Sequence, residues 1–470
     1  MTPRLLSWIA QATAGRLVGV DRPIDAVATD TRALPQGGAS LFVALKGETF
    51  DGHAHVAAAA AGGCVAALVA REVDAAIPQV VVENTERALG DFAAAVQRER
   101  ATRVLAVTGS NGKTTVKTLL HAILGELGAA YANPGNRNNE IGLPLAVLAA
   151  PDDARYAVYE MGAGKPGDIA YLTAIAPPTV ALVNNVAAAH LERMGSLQGV
   201  AETKGAIYEA LPVDGVAVVN ADDAFALSFI ERAQDRRVLR FGLDAPADVS
   251  ARDVRAGLAG SQFVLVTQAG EIGIDLPLPG LHNVRNALAA ATMALAVGAR
   301  LDQIRAGLEK SAPVAGRLVT HRLASGAVLI DDSYNANPGS TTAAIHVLCS
   351  AAGARWLVLG DMRELGAQTE ALHADAGAQA QAAGVTRLYA LGALSAHAVA
   401  AFGAGARVFD NHADLASTLM SDLHDAETGA THPLALTILV KGSRGSAMDK
   451  IVTALLQRDA GSGKETTNAA

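Results

Sequence analysis

The stretch Val104-Leu-Ala-Val-Thr-Gly-Ser-Asn-Gly-Lys-Thr-Thr-Val116 decides how the central part of this chain folds. Its first four residues are apolar and predict a buried strand, which runs into a Gly-containing loop. After the loop, apolar residues recur at helical spacing, namely Val116, Leu119, Leu120, Ile123, Leu124 and Leu127. The loop therefore lies between a strand and the N-terminus of an amphipathic helix, where phosphate loops lie.

The loop also carries the residues that phosphate binding needs. Gly109 and Gly112 let backbone N–H groups approach phosphate oxygens, Lys113 adds a positive charge, and a following threonine hydroxyl can ligate Mg²⁺. The common G-x-x-x-x-G-K-T pattern would need glycine where Val107 stands, so a turn that binds nothing is the alternative. The strand–loop–helix context favours phosphate, and we predict that the whole loop contacts a phosphate-bearing ligand: Thr108, Gly109, Ser110, Asn111, Gly112, Lys113, Thr114 and Thr115.

Apolar runs alternate with Ala-rich helical stretches along the rest of the chain, which predicts an α/β fold with parallel sheets covered by helices. The predicted strands are Val104–Val107, Ala157–Glu160, Val180–Val183, Val328–Ile330, Trp356–Leu359, Arg387–Leu391 and Leu436–Val440. The segment Phe241–Gly280 has short apolar runs between Gly, Asp and Pro turns and is predicted to be rich in β-structure.

The 470 residues suggest three domains at about 150 residues each. We place the N-terminal domain at residues 1–98, the central P-loop domain at 99–313 and the C-terminal domain at 314–470. A helix is expected to end near Gln457, and residues 459–470 are expected to be a disordered tail because they are polar and uncapped.

Composition excludes several classes of function. With 38 Lys+Arg against 46 Asp+Glu, the net charge of −8 argues against binding a nucleic-acid polymer, although local loops can still hold a phosphate ligand. The two cysteines, Cys64 and Cys349, form neither a disulfide framework nor a zinc-spaced pair. With neither a signal peptide nor a membrane-spanning segment in the sequence, we expect a cytoplasmic protein that does not insert into a membrane.

The variant loop T-G-S-N-G-K-T-T resembles that of the Mur ligase family, ATP-dependent amide-forming enzymes of peptidoglycan synthesis. Further stretches resemble the family's motifs in the family's order, over about residues 27 to 452. They are Asn136–Pro144, Glu160–Ala163, Asn184–Glu192, Gly280–Asn286, Gly316-Arg317 and Asp331–Pro338.

Four features resemble the branch of the family that joins D-alanyl-D-alanine to UDP-N-acetylmuramoyl-tripeptide through an acyl phosphate. These are Asp331–Pro338, Leu359–Gly366, Val440–Arg444, and the N-terminal pair Thr29–Arg32 and Leu41–Gly47. The resemblance implies a small N-terminal α/β domain for the UDP substrate, a central parallel-sheet P-loop ATPase domain and a C-terminal Rossmann-like domain for the dipeptide. It also implies ATP, two Mg²⁺ ions and a chain that acts as a monomer.

The resemblance assigns catalytic roles to Lys113, Glu160, His190, Lys204 and Arg317. From the residues alone, Glu160 could equally cap a helix, while His190 and Lys204 would be ordinary surface or core-edge side chains. The resemblance makes Glu160 and His190 magnesium ligands beside Thr114 and Thr115, and makes Lys204 a carbamate formed with CO₂. Arg317 is either an interdomain ion-pair partner or a cation on the transferring phosphate.

The remaining assignments concern the two ends of the substrates. Asn283, otherwise a helix cap, is expected at the adenine, and Asp332 at the nucleotide. The UDP part is assigned to Asp30, Thr31, Arg32, Lys46 and Gly47, and the sugar-peptide to Asn138 and Asn139. The dipeptide is assigned to Tyr334, Asn335, Lys441, Ser443 and Arg444.

Two other functions stay open. The first is a sibling ligase that uses another amine or acceptor, such as the enzyme that adds a diamino acid or a folate-polyglutamylating enzyme; Asp331–Pro338 argues against both. The lack of an Asp-Asn-Pro-Arg stretch further argues against the diamino-acid-adding enzyme. The second is a switch that hydrolyses ATP without ligating anything. Several Gly- and Asn-rich motifs in three domains favour an enzyme with two substrates besides ATP.

Overall fold

The computed structural model describes residues 1–35, 37–188, 191–429 and 435–465. Its sheets are largely parallel and carry helices on their faces, which confirms the predicted α/β class. Within the described residues, no helix combines the length and the apolar character needed to cross a lipid bilayer.

The N-terminal part is built on a five-stranded sheet, and a separate two-stranded ribbon pairs β1 with β3. The sheet order is β2-β7-β6-β5-β4, and all neighbours are parallel except β2 and β7. The strands are β1 Arg4–Leu5, β2 Arg16–Val18, β3 Pro23–Ile24, β4 Ala26–Ala28, β5 Ser40–Val43, β6 Cys64–Val69 and β7 Gln79–Val81. The helices are α1 Leu6–Ala12, α2 Val56–Ala61 and α3 Thr85–Glu99.

The central part is built on a nine-stranded sheet of order β16-β15-β14-β13-β12-β11-β8-β10-β9. Its strands are β8 Arg103–Thr108, β9 Ala130–Ala132, β10 Tyr156–Glu160, β11 Val180–Val183, β12 Val216–Asn220, β13 Arg237–Phe241, β14 Val249–Gly257, β15 Gly260–Thr267 and β16 Gly270–Leu276. Its helices are α4 Lys113–Gly125, α5 Gly142–Ala149, α6 Asp168–Ile175, α7 Leu191–Met194, α8 Leu197–Glu209, α9 Ala226–Ala233, α10 Leu281–Ala296 and α11 Leu301–Glu309. The antiparallel strands β14 to β16 confirm the predicted β-rich segment.

The C-terminal part is built on a six-stranded sheet of order β17-β18-β22-β19-β20-β21, parallel except for β17. Its strands are β17 Val319–Arg322, β18 Val328–Asp332, β19 Ala354–Gly360, β20 Arg387–Leu391, β21 Ala406–Phe409 and β22 Leu436–Lys441. Its helices are α12 Pro338–Cys349, α13 Thr369–Ala382, α14 Ala396–Phe402, α15 His412–Thr428 and α16 Asp449–Glu465.

The predicted end of the last helix is wrong. Helix α16 continues past Gln457 to Glu465, so most of the expected tail 459–470 is helical backbone. A helix that already exists gains one backbone hydrogen bond for each residue added, which outweighs the weak helix propensity of Gly461 and Gly463. The expectation for residues 466–470 lies outside the described residues.

Packing joins the first two parts more closely than their separate sheets suggest. One apolar cluster runs from Leu6 and Phe92 in the N-terminal part to Leu143 and Ile207 in the central part. Helix α3 contributes much of it, since its buried face packs on α5 and α6. The carboxyl ends of the parallel strands β8, β10 and β11 meet at one edge of the central sheet, and this edge carries the site.

Candidate active site

The loop between β8 and α4 needs glycine for two separate reasons. Gly109 and Gly112 have φ angles of +145° and +79°, which side-chain-bearing residues rarely adopt. A Cβ atom on Gly112 would also collide with Asn286 Oδ1 and lie 2.6 Å from Asn184 Nδ2. The loop is therefore packed against asparagine side chains and still leaves its backbone facing a cavity.

Lys113 lies at the first position of α4 and bends back over the loop. Its Nζ atom donates to the carbonyl oxygens of Gly109 at 2.7 Å and Ser110 at 3.4 Å. Burial lowers the pKa of Lys113, and the nearby carboxylate of Glu160 opposes that shift. The ammonium group is thus held where the phosphates of a nucleotide would approach the loop.

A chain of asparagine amides supports the loop from behind. Asn184 Nδ2 donates to Asn111 O at 2.9 Å and to Asn286 Oδ1 at 3.0 Å, and Asn286 Nδ2 donates to Asn283 Oδ1 at 3.0 Å. Asn185 Oδ1 accepts from the Asn111 N–H at 2.8 Å. Asn184, Asn185 and Asn286 lie within stretches that resemble the family's motifs, but no role was predicted for them. Their signal was an Asn-Asn pair directly after a buried strand and the i, i+3 spacing of Asn283 and Asn286 on a helix.

Glu160 ends β10 and lies at the centre of the polar contacts below the loop. Its carboxylate accepts from Thr114 Oγ1 at 2.9 Å and Asn138 Nδ2 at 2.7 Å, and Lys117 Nζ lies 3.3 Å away. Burial opposes ionisation, but the charges of Lys117 and Lys113 hold the pKa of Glu160 below its ordinary value. Glu160 is thus a buried carboxylate with hydroxyl and cationic neighbours, and Lys117 is a buried lysine that the sequence analysis missed.

The carboxylate and hydroxyl oxygens at this point are ligands that suit a magnesium ion bound together with a nucleotide. In the described part of the chain, no three His, Cys, Asp or Glu side chains cluster as a complete metal site. Mg²⁺ commonly takes one or two carboxylates and completes its shell with water and phosphate oxygens. Glu160 and the Thr114 hydroxyl, 2.9 Å apart, match that pattern. The buried Thr108 hydroxyl, at the end of β8, has no hydrogen-bond partner among the residues that the structure describes.

Of the other two predicted metal ligands, Lys204 is described by the structure and His190 is not. Lys204, on α8, is 1% exposed, and burial together with the charge of Lys113 lowers its pKa to about 7. A lysine in such surroundings is substantially neutral at physiological pH, as reaction with CO₂ requires. His190 lies outside the described residues.

The C-terminal part reaches into the loop through two side chains. Arg317 NH2 donates to Thr114 Oγ1 at 3.2 Å, and its guanidinium lies 4.4 Å from the centre of the Tyr334 ring. Arg317 Nε is buried and has no hydrogen-bond partner within the described part of the chain. Asn337, which caps α12, donates from Nδ2 to Asn111 Oδ1 at 2.7 Å. Asn337 was not predicted; its signal was a helix-capping position before Pro338.

Two cavities meet at this point. One, of about 300 Å³, is lined by the loop, by Asn283 on α10 and by Asp332 of the C-terminal part. The other, of about 410 Å³, is lined by Asn138, Asn139, Glu160, Tyr334 and further residues. Lys113, Arg317 and Asn335 line both cavities.

The predicted dipeptide residues divide between the two cavities. Tyr334 and Asn335 line the larger one, and the Arg444 guanidinium lies 5.9 Å from the Tyr334 ring. Lys441 lines the smaller cavity instead, where its Nζ pairs with Asp332 at 2.6 Å. Burial raises the pKa of Asp332, and Lys441 opposes that shift. Ser443 is engaged internally, because its hydroxyl donates to Ala336 O at 3.2 Å and accepts from the Arg363 N–H at 2.9 Å.

The predicted UDP residues lie around the N-terminal sheet. A third cavity of about 300 Å³, between β4 and α5, is lined by Asp30, but its lining does not include the other four, Thr31, Arg32, Lys46 and Gly47. Asp30 pairs with Arg32 at 2.7 Å, and the side chain of Arg32 is 87% exposed. Thr31 is half-buried beside them. The structure therefore brings Asp30, Thr31 and Arg32 together, with Lys46 on a separate exposed turn.

Comparison with known proteins fits this geometry. Residues 107–294 match the Mur ligase middle domain, and residues 316–444 match the domain described as "Mur ligase, glutamate ligase domain". The chain is 45% identical over 452 residues to the UDP-N-acetylmuramoyl-tripeptide–D-alanyl-D-alanine ligase of Escherichia coli, covering 96% of this chain and 98% of that one. It is 36% identical to the Bacillus subtilis enzyme of the same name, covering 97% and 99% of the two chains.

Solved structures agree with the sequence relatives. MurF from Acinetobacter baumannii superposes with a TM-score of 0.91 at 34% identity, covering 97% of this chain and 99% of that one. MurF from Thermotoga maritima, solved in complex with ADP, superposes with a TM-score of 0.81 at 25% identity, covering 92% and 97%. Both domain matches and full-length relatives above 30% identity lead to one conclusion: this chain belongs to the Mur ligase family.

Proposed function

We propose that this chain joins D-alanyl-D-alanine to UDP-N-acetylmuramoyl-tripeptide and cleaves ATP to ADP and phosphate, giving the pentapeptide precursor of peptidoglycan. The meeting of two cavities at Lys113, Arg317 and Asn335 carries the proposal. One cavity has the phosphate loop of an ATP site, and the other is lined by polar groups suited to a sugar-peptide. Full-length relatives with this activity in their names support the choice of substrates.

The reaction proceeds in two steps at that junction. The terminal carboxylate of the tripeptide attacks the γ-phosphorus of ATP, which forms an acyl phosphate and releases ADP. The amine of D-alanyl-D-alanine then attacks the acyl carbon, so that the C–N bond forms and phosphate leaves. The protein supplies no covalent nucleophile; it positions the reactants and neutralises charge.

The residues that line the two cavities suit those tasks. Lys113 and the backbone of the loop hold the β- and γ-phosphates, and Arg317 faces the transferring group from the C-terminal side. Asn283 and Asp332 line the nucleotide cavity. Asn138 and Asn139 face the sugar-peptide, and Tyr334 and Asn335 line the side from which the dipeptide enters.

Mg²⁺ would be held by Glu160 with Thr114 or Thr115, and it would neutralise phosphate charge when bound. We propose a second ion beside Lys204 and His190, with Lys204 as a carbamate. In that reaction the neutral Lys204 amine adds to CO₂, a C–N bond forms, and one proton leaves to solvent. A carbonyl ¹³C signal that appears with ¹³C-bicarbonate and is lost in Lys204→Arg would support the carbamate.

Three further assignments complete the proposal. The UDP part binds at Asp30, Thr31 and Arg32, with Lys46 and Gly47 completing the site on the neighbouring turn. We place the domain borders near residues 98 and 313; residue 98 falls in the last turn of α3, and residue 313 lies between α11 and β17. The enzyme acts as a monomer in the cytoplasm.

An ATP-cleavage assay tests the proposal. Purified chain is given ATP, Mg²⁺ and UDP-N-acetylmuramoyl-tripeptide, and phosphate release is measured with a panel of amines. We expect release that depends on D-alanyl-D-alanine and a product of pentapeptide mass. Release with a single amino acid instead would assign the chain to a sibling ligase, and release without any amine would make it an ATP-hydrolysing switch.

A further inference from the structure

Two lysines lie one turn apart on α4, and they face different partners. Lys113 Nζ bonds to the loop, whereas Lys117 is 5% exposed and points beneath it. Lys117 Nζ donates to Asn133 O and Gly135 O, both at 2.9 Å, and lies 3.3 Å from Glu160 Oε2. Two of its three N–H donors therefore go to backbone carbonyl oxygens, and its charge is paired with the buried Glu160 carboxylate.

The two carbonyls belong to the segment 133–141, which joins β9 to α5 and is called the arm here. The arm is also bonded to the end of β10. Asn133 Oδ1 accepts from the Glu160 N–H at 2.9 Å, and the Gly162 N–H donates to Asn138 O at 2.7 Å. Lys117 thus bonds to the arm from the α4 side while β10 bonds to it from the other.

The arm forms one wall of the larger cavity through Asn136, Asn138 and Asn139. Its backbone carries no regular strand or helix, so these few hydrogen bonds set its position. Among them, the contacts of Lys117 are the ones that tie the wall to the helix that begins at the phosphate loop.

We propose that Lys117 is a positioning residue for the acceptor substrate: it fastens the arm to α4 and so sets the wall of the larger cavity against the phosphate loop. The identity of the acceptor, UDP-N-acetylmuramoyl-tripeptide, rests on the proposed function. Lys117 acts through the arm and touches neither substrate.

The test uses the full chain with three substitutions. Lys117→Met removes all three donors at similar length, and Lys117→Gln keeps two N–H donors. Lys310→Met is the matched control, because the side chain of Lys310 is 68% exposed and pairs with Glu126 on the surface. The first measurement needs no ligand: amide hydrogen exchange in the arm should be about tenfold faster in Lys117→Met and unchanged in the control.

The second measurement compares two dissociation constants by calorimetry, without Mg²⁺ so that the metal plays no part. In Lys117→Met, the Kd for UDP-N-acetylmuramoyl-tripeptide should rise about tenfold, while the Kd for ADP stays within about threefold of wild type. Lys117→Gln should fall between Lys117→Met and wild type.

Three outcomes would overturn the inference. An equal rise in the Kd for ADP would make Lys117 a phosphate contact, and unchanged exchange in the arm would remove the fastening role. If both Lys117 variants aggregate while Lys310→Met folds, Lys117 serves folding and not positioning. Failure of the wild type to bind the tripeptide substrate would count against the proposed function alone, since arm exchange still decides the role of Lys117.

Discussion

Arg317 faces the junction of the two cavities with its Nε buried and unpartnered and its guanidinium stacked on Tyr334. A planar cation held in this way is suited to charge that develops on a transferring phosphoryl group. We expect Arg317→Ala to lower kcat by about 10² to 10³. The KM for ATP should change much less, because the loop holds the ground-state phosphates.

Steady-state kinetics with ATP varied will check this. Arg317→Lys should recover little, since an ammonium group cannot stack on Tyr334 as a guanidinium does. Arg322→Ala, at an exposed position on β17, is the control and should behave as wild type. A rise in KM without a fall in kcat would mean that Arg317 binds ground-state ATP.

Lys204 illustrates a conflict between stability and activity at one residue. Its pKa falls from 10.5 in the unfolded chain to about 7, so between these pH values the unfolded chain binds more protons and stability rises with pH. Lys204→Met removes the cost of burying the amine. In CO₂-depleted buffer without nucleotide, we expect it to raise the free energy of unfolding by about 1–4 kcal/mol.

Chemical denaturation at several pH values will check this. The gain should be largest at pH 7 and below, and should shrink as the pH rises toward 10.5. Activity should be lost in the same variant. A destabilised Lys204→Met would show instead that the amine has favourable partners in the fold.

At the scale of elements, the strand–loop–helix unit β8–α4 depends on glycine at one point and tolerates change at another. Gly112→Ala would place a methyl group against Asn286 and Asn184 in a backbone conformation that alanine rarely adopts. We expect ADP affinity to fall more than about 100-fold, a loss of about 2.7 kcal/mol. Gly125→Ala is the control, because a Cβ at this last position of α4 meets nothing within 4 Å.

Calorimetric titration with ADP will measure both variants. Gly125→Ala should bind ADP as wild type does, and should be more stable by about 0.5–1 kcal/mol because alanine favours a helix. Retained ADP binding in Gly112→Ala would mean that the asparagines move aside readily.

How much could be predicted also depends on scale. The unit β8–α4 and the strands at Tyr156–Glu160 and Val180–Val183 follow from local apolar patterns, and parallel pairing then brings their ends together. Lys117 escaped because its 3.3 Å contact with Glu160 crosses the fold, which no local pattern encodes. For Asn337 the capping position before Pro338 could be read locally, but its 2.7 Å contact with Asn111 could not. The predicted C-terminal end of α16 was wrong because the low helix propensity of single residues at a helix end is weaker than the backbone hydrogen bonds that extend the helix.

At the scale of the whole molecule, the three sheets are not three equal folding units. One apolar cluster passes from Leu6 and Phe92 through to Leu143 and Ile207, so the N-terminal and central parts share buried surface. The fully buried members of the C-terminal clusters come from residues 318–455, and Leu258 of the central part packs against one of these clusters. Between the phosphate loop and the C-terminal part, the contacts of Arg317 and Asn337 are polar. Such a boundary suits a part that moves when ligands bind.

Differential scanning calorimetry should therefore record two transitions, one for the N-terminal and central parts together and one for the C-terminal part. Phe92→Ala, in α3, removes a side chain that is 1% exposed. It should lower the midpoint temperature of the first transition only, with a loss of about 3–5 kcal/mol in the free energy of unfolding. Leu439→Ala, in β22, should lower the midpoint temperature of the second transition only, with a loss of about 2–5 kcal/mol in the free energy of unfolding. A single transition that both substitutions lower equally would mean that the polar boundary couples the C-terminal part to the rest as tightly as a shared core does. The C-terminal part could then not move as a separate body during the reaction.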